Sequence, residues 1–333
     1  MQLLNNIQND LPNVYFATYD TSMSIIPATS HLWQKYYSSH QYYLGYKMPE
    51  WSEWEKLKNT HYISLAPSRN SFKEWAKNLR SHLITLTDEF IVFTIDDNFL
   101  IDYANVDLIQ MAVQYMRQHS DVACCYGSIA VCYENDDRKW QEKDRVIMKD
   151  PEKGFLLYEG SKSRYHLVNL QPNIWRRSVL CDILNNDYDI YDFEVKGSNL
   201  MRETQWRFIG LEKIPKNDNE MYKKCLFPNM YYTACSEKRN PGKISVLGLR
   251  NSDVQEMIDL KILSPERLVY GYHSSYAIPY SVFVAKDFKN SFNMIEFEKI
   301  LRQQNKIRPG PMEQLGTVPD SLLGFKRILG SLY

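Results

Sequence analysis

No C-x-x-C pair occurs among the six cysteines, at 124, 125, 132, 181, 225 and 235, which argues against the common tetrahedral zinc motifs. Cys124 and Cys125 lie in an apolar, strand-like run and are expected to be buried free thiols of a reducing compartment. Nowhere do about 18 apolar residues follow one another, so no membrane-spanning helix is expected. The opening "MQLLNNIQNDLPN" lacks a basic stretch leading into a long apolar run and does not read as a signal peptide, so the expected location is cytoplasmic. Charge of one sign is not in excess either, because Lys+Arg and Asp+Glu both number 40. Such a balance advertises no nucleic-acid binding. Internal repeats and low-complexity tracts are also missing.

What is present is an ordinary globular composition, 333 residues with 44% hydrophobic and 24% charged. This length fits one large α/β domain with additions, or two domains. The 24 tyrosines suit polar, ring-shaped ligands as well as cores and interfaces.

The first strand is expected in "NVYFATYD", residues 13–20, ending in Tyr19 and Asp20. A helix around His31–Ser38 and the short strands "YYLGY" and "HYISLA" follow. From Phe72, the residues Trp75, Ala76, Leu79, Leu83 and Leu86 keep helical spacing, with Ser71 and Glu74 as a capping box. That helix feeds the strand "EFIVFTIDDNFLID", residues 89–102. Asn105 then caps a helix over 106–118, with Val106, Ile109, Val113 and Met116 inward, and "DVACCYGSIAVCY" is the next strand. Such alternation predicts an α/β fold, a mainly parallel, doubly wound sheet flanked by helices. In such sheets ligands bind beyond the carboxyl ends of the strands, where Asp20 and the pair Asp96-Asp97 would lie.

The charged residues 134–164 read as an exposed excursion or hairpin. After Gln171-Pro172 a helix is expected near Asn173, with Ile174, Trp175, Val179, Leu180 and Ile183 inward. "YDIYDFEVKGSNLM" carries Asp192 and Glu194 on either side of Phe193. Residues 226–250 are strand-like, and "SDVQEMIDLKIL" reads as a short helix with Ser252 and Gln255 as a capping box. The division expected is a main domain over 1–250 and an extension over 251–333 packing on it.

Three constellations carry chemistry. Asp96, Asp97 and Asn98 follow the most strand-like segment and offer oxygen ligands to a hard divalent cation, Mg²⁺ or Mn²⁺, against a diphosphate. The bland alternative is an Asx-type turn. A carboxylate such as Glu194 can act as general base, though most such residues are plain surface charges. Gln171-Pro172-x-x-Trp175 reads equally as a helix start with a core tryptophan.

Their order resembles a family of bacterial glycosyltransferases with the GT-A fold, similar to enzymes of capsule, lipopolysaccharide and other surface polysaccharide assembly. The matching residues are Ser71 and Trp75, "FIVFTIDDNFLI", "LQPNIWRRSVLCDIL" and "DFEVKGS", spread over roughly 13–200. The resemblance implies a Rossmann-like half that binds a nucleotide sugar. It would place Asp20, Tyr19, Trp75, Asp96 and Asp97 at the donor and Gln171 and Trp175 at the acceptor side. Glu194, with Asp192, would serve as catalytic acid–base, and Asp96, Asn98 and His273 as metal ligands. The third position of the acidic motif is Asn98, which brings no charge. A cationic residue can take the metal's role instead, and Arg176, Arg177, Arg202, Lys196 and Lys243 are the candidates.

The expected activity is transfer of a sugar from a nucleotide-sugar donor to a cell-surface polysaccharide or lipid-linked glycan. Two other classes compete. A sugar-1-phosphate nucleotidyltransferase usually has a Gly-rich phosphate loop near the first strand, and "FATYDTSMS" has no glycine. A catalytically inactive sugar-binding protein of a polysaccharide gene cluster is the other. The terminal "GFKRILGSLY" suggests peripheral contact with the inner membrane, or simply a helix packed on the domain.

Overall fold

A computed structural model describes residues 11–18, 25–46, 57–66, 74–127, 144–164, 166–214, 225–230, 244–245, 249, 251–264, 268–270 and 278–279. Tyr19, Asp20, Ser71, Lys243, His273, the cysteines at 132 and 235 and the terminal amphipathic stretch lie outside them.

Nine strands form one sheet: β1 (Val14–Ala17), β2 (Gln41–Gly45), β3 (Thr60–Ser64), β4 (Phe90–Ile95), β6 (Val122–Tyr126), β7 (Arg145–Asp150), β8 (Phe155–Glu159), β9 (Asn173–Arg176) and β10 (Arg207–Lys213). The order across it is β3-β2-β1-β4-β9-β6-β10-β8-β7. One half, β3-β2-β1-β4, is parallel, as the alternation of strands and helices requires. β9 enters antiparallel between β4 and β6, and the hairpin β7-β8 extends the sheet antiparallel beyond β10. The sheet is therefore mixed, and the described part of the charged excursion, from 144 on, contains a hairpin that joins it.

β5 (Phe99–Leu100) pairs with β11 (Asn229–Met230) beside the sheet. The short strands β12 (Ile244–Ser245), β13 (Leu268–Tyr270) and β14 (Ile278–Pro279) form a third, separate sheet.

Period-two alternation divides the core. In β1, Val14 and Phe16 join one apolar cluster, and Tyr15 and Ala17 join the other. The first cluster is closed by α1 (Ile26–Tyr36), α3 (Val106–Gln118) and α6 (Asn251–Asp259), which supply Trp33, Ile109 and Met257 among others. The second is closed by α2 (Trp75–Leu83), α4 (Arg177–Ile183) and α5 (Ile190–Arg202), which supply Leu79, Leu180 and Phe193. This is a mixed α/β sheet with helices on both faces. Among the described residues no helix is long and apolar enough to cross a membrane.

Several local expectations need correction. The segment after Gln171-Pro172 opens as strand β9, and the helix starts only at Arg177. Ile174 and Trp175 point to opposite faces, both fully buried, and a short apolar run of this kind has no period to separate strand from helix. Glu74 sits at the N-cap of α2 itself, without a side-chain cap bond, so it is not the third residue of a box. Asn105 precedes α3 as expected, but its amide donates to the Cys225 carbonyl instead of capping the helix. Val106 is 36% exposed, and the inward residues are Leu108, Ile109, Ala112, Val113 and Met116. Gln255 donates to Asp259 at 2.8 Å, along its own helix. Cys124 and Cys125 are buried free thiols, as expected, and Cys181 is a third.

α6 is held to α1 by charge as well as apolar packing. The Asp253 carboxylate, 1% exposed, accepts from Tyr36 Oη at 2.6 Å and from Lys35 Nζ at 2.9 Å. Lys35 also pairs with Glu256.

Candidate functional site

β4 runs through the middle of the sheet with both faces covered and delivers Asp96, Asp97 and Asn98 at its carboxyl end. These three side chains do different work. Asp96 is 4% exposed and accepts a hydrogen bond from the hydroxyl of Thr18, the residue after β1. Its carbonyl accepts from Thr29 Oγ1 of α1 at 2.6 Å. Asn98 is fully buried. Its amide donates to Thr94 Oγ1 at 2.9 Å and to the Leu170 carbonyl at 3.1 Å, and its own carbonyl accepts from Trp33 Nε1 at 2.8 Å. Asp97, in the middle, is the only half-buried residue of the three.

Burial pushes the Asp97 carboxyl up to about 6, against a backbone hydrogen bond that lowers it, and the Glu194 charge raises it further. Glu194 stands just past the first turn of α5. Its own carboxyl is raised, mainly by burial, while the Leu170 N–H and His166 act in the other direction. Asp97 and Glu194, far apart in sequence, therefore share one electrostatic neighbourhood.

The main chain of Leu170 ties the two together. Its N–H donates to Glu194 Oε1 at 3.0 Å. Its carbonyl accepts from Asn98 Nδ2 at 3.1 Å and Thr94 Oγ1 at 3.0 Å. A single residue thus fixes the helix carboxylate against the tip of the central strand.

The seating of α5 explains which of its acids can take part. Asp189 is the N-cap, and its carboxylate accepts from Asp192 N at 2.8 Å. Phe193, Gly197, Ser198 and Met201 face inward, and Phe193 packs edge-on against Trp75 and Phe93 with centroids 5.7 and 6.0 Å away. A Cβ on Gly197 would lie 3.2 Å from Ile183 Cγ2, so glycine lets the helix sit this close. At about 100° per residue, Asp192 and Glu194 point to nearly opposite sides of the helix. Asp192 pairs outward with Lys196 at 2.9 Å, while Glu194 turns to Leu170.

The other expected site residues are more dispersed. Trp75 is 2% exposed and belongs to the core under α2. Trp175 is fully buried in β9, edge-on to Phe208 at 5.8 Å, and has no surface to offer an acceptor. Gln171, 8% exposed, sits next to Leu170, with its N–H donating to Asn169 Oδ1 at 3.1 Å. Arg176 and Arg177 stand at the opposite end of β4, since Arg176 pairs in register with Phe90. Arg176 donates to the Val122 carbonyl at 3.1 Å and Arg177 to the Asp88 carbonyl at 2.6 Å. Arg202 caps the segment 162–164 through the Lys162 and Arg164 carbonyls. These arginines hold main chain together and do not face Asp97.

Thr18, Leu170 and His166 have no motif that marks them. Thr18 and Leu170 act through a hydroxyl and main-chain atoms, and His166 is brought to Glu194 only by folding.

Among the described residues no group of three or more His, Cys, Asp or Glu side chains is placed to hold a metal ion. Asp96 accepts from Thr18, and Asn98 donates its amide N–H groups to Leu170 and Thr94. His273 lies outside the described residues.

No protein-family model matches the chain, and neither does any curated protein. Among solved structures, S. aureus TarS, residues 1–349, is similar over 60% of this chain and 57% of its own, at 13% identity and a TM-score of 0.36. UDP-glucose pyrophosphorylase complexed with UDP-glucose is similar over 60% and 89%, at 8% identity and a TM-score of 0.33. The 4-diphosphocytidyl-2C-methyl-D-erythritol synthase of Anaerococcus prevotii is similar over 59% and 85%, at 10% identity and a TM-score of 0.32. This chain thus spans little more than half of that TarS chain, and scores this low carry no argument about activity.

Proposed function

We propose that the protein is a glycosyltransferase of the GT-A type, moving a sugar from a nucleotide-sugar donor to a hydroxyl of a surface polysaccharide or lipid-linked glycan. The observation that carries the reading is that Leu170 ties Glu194 to the turn carrying Asp97, beyond the carboxyl end of β4. In open α/β sheets that end is where ligands bind. The order of motifs in the sequence supports the same class.

In this reading Glu194 is the general base. Burial raises its carboxyl toward the working range of a base, and the Leu170 N–H orients one oxygen and leaves the other for substrate. It takes the proton of the acceptor hydroxyl as that oxygen attacks the anomeric carbon. The bond from that carbon to the diphosphate oxygen breaks, and the electron pair leaves with the nucleoside diphosphate. The proton then passes from Glu194 to water. Asp97 orients the donor sugar through its hydroxyls. Asp96 and Asn98 would be the residues to hold a divalent cation, which would offset charge on the leaving diphosphate; no step is assigned to it. Asp192, on the far side of the helix, has no part in the chemistry.

Glu194→Gln keeps an oxygen for the Leu170 N–H but removes the base. Turnover should fall about 10²–10⁴-fold, while calorimetry with a panel of nucleotide sugars shows donor binding unchanged. A variant that keeps the parent rate sinks the base assignment. Absence of binding to every nucleotide sugar sinks the whole reading. Binding without turnover in the parent points to an inactive sugar-binding protein.

A further inference from the structure

At the other end of the parallel strands, two histidines meet on the surface. His40 immediately precedes β2, and His61 lies on the edge strand β3 in register with Tyr42. Both are exposed, and His40 Nδ1 lies 3.2 Å from His61 Nε2.

Exposed histidines are ordinarily free to turn, but this pair has a backing of rings. Tyr15 and Tyr42 stack at 4.8 Å with planes 11° apart, and Tyr42 stacks on His61 at 4.9 Å with planes 20° apart. The inner end of the stack is anchored where Tyr15 Oη donates to Asp88 Oδ2 at 3.0 Å. His61 is thereby held at the outer end of a three-ring column rooted in the core, and His40 faces it with centroids 5.5 Å apart.

The separation of the two nitrogens matches a metal chelate. Nitrogens bound at 2.0–2.1 Å to a tetrahedral zinc are about 3.3 Å apart. We propose that His40 and His61 form a surface site for a borderline-soft divalent cation of the zinc class, which fastens the edge strand β3 to β2. Imidazole pairs suit zinc, nickel or copper, not magnesium or manganese, so the site is chemically separate from any cation the acidic motif would attract. Water fills the remaining coordination positions. In the metal-free neutral pair one N–H donates across the gap. Binding moves that proton to the far nitrogen of the same ring, so each ring presents a lone pair to the metal and no proton is released. Tyr42 acts as a positioning residue through His61.

The test is a calorimetric titration of the full, chelator-stripped chain with zinc near neutral pH. About one equivalent should bind, and both His40→Gln and His61→Gln should weaken it at least about tenfold while the far-ultraviolet spectrum stays that of the parent. Excess magnesium should not displace the zinc. Thermal melting should rise with zinc in the parent and in neither variant. Tyr42→Leu, with both histidines intact, should weaken binding too, and unaltered affinity there overturns the backing role. A parent that binds no zinc, or two histidine variants that bind it as the parent does, overturns the site and leaves an adventitious ion only.

Discussion

Replacing Asp97 by Asn should stabilise the folded protein at alkaline pH and not at acid pH. The cause is the cost of holding a charge at the tip of β4. The Asp97 carboxyl goes from 3.8 to about 6 on folding, chiefly through burial. An acid raised in this way favours the folded state only while it is protonated. Its contribution is fully present below about pH 4 and is lost as the pH rises through about 6. A shift of about two units corresponds to about 3 kcal/mol. Relaxation around a buried carboxylate reduces the full figure, so a gain of about 1–3 kcal/mol is expected above about pH 8. Asn has the same shape and carries no charge. The assay is urea unfolding of parent and variant at several pH values, read as the difference in midpoint. Glu194 adds to the shift, so the gain from Asp97→Asn should shrink in a Glu194→Gln background. A variant equally stabilised at every pH, or destabilised above pH 8, would refute the reasoning.

Other perturbations follow from the same contacts. Asn98→Ala removes the amide that satisfies the buried Leu170 carbonyl and Thr94 hydroxyl, and should cost about 1–3 kcal/mol in urea unfolding. Because it also loosens Leu170, it should reduce turnover more than donor binding if the proposed activity is right. Gly127→Ala would set a Cβ 2.0 Å from the Pro172 carbonyl oxygen and 2.5 Å from Phe227 Cδ2. Backbone cannot give way as a flexible side chain does, so the substitution should destabilise by about 1–3 kcal/mol, visible as a lower melting temperature.

The parallel half of the sheet was legible because its strands and helices carry strong, separate periods. Trp75, Leu79 and Leu83 repeat at helical spacing, and β4 is a continuous apolar run between recognisable turns. β9 was not legible, because Ile174 and Trp175 each bury one face of a strand flanked by a polar turn and two arginines. Those arginines looked like anion-binding charges, yet they reach carbonyls at the ends of α2 and α3, and Arg176 also pairs with Glu89. Such partners come from chain geometry, which residue types do not encode. The acidic run drew attention for good physical reason, but spacing alone cannot say which of three adjacent polar side chains faces out. The turn after β4 leaves Asp97 half-buried and joins Asp96 and Asn98 to Thr18 and Leu170. Asp189, spaced three before Asp192, was a readable helix start that the aromatic neighbours obscured.

Leu170 holds Glu194 and Asn98 through its N–H and its C=O, not through its side chain. The distance between helix α5 and the tip of β4 is therefore set by atoms that almost every amino acid possesses. Any residue that fills the same apolar space can stand at 170, and proline alone is barred, because it has no N–H to give. Substitution there should drift freely among apolar types in related chains, at the very place that gauges the site. A comparison that ranks positions by invariance would pass over it, whereas Leu170→Pro should disable the protein and Leu170→Met should pass unnoticed.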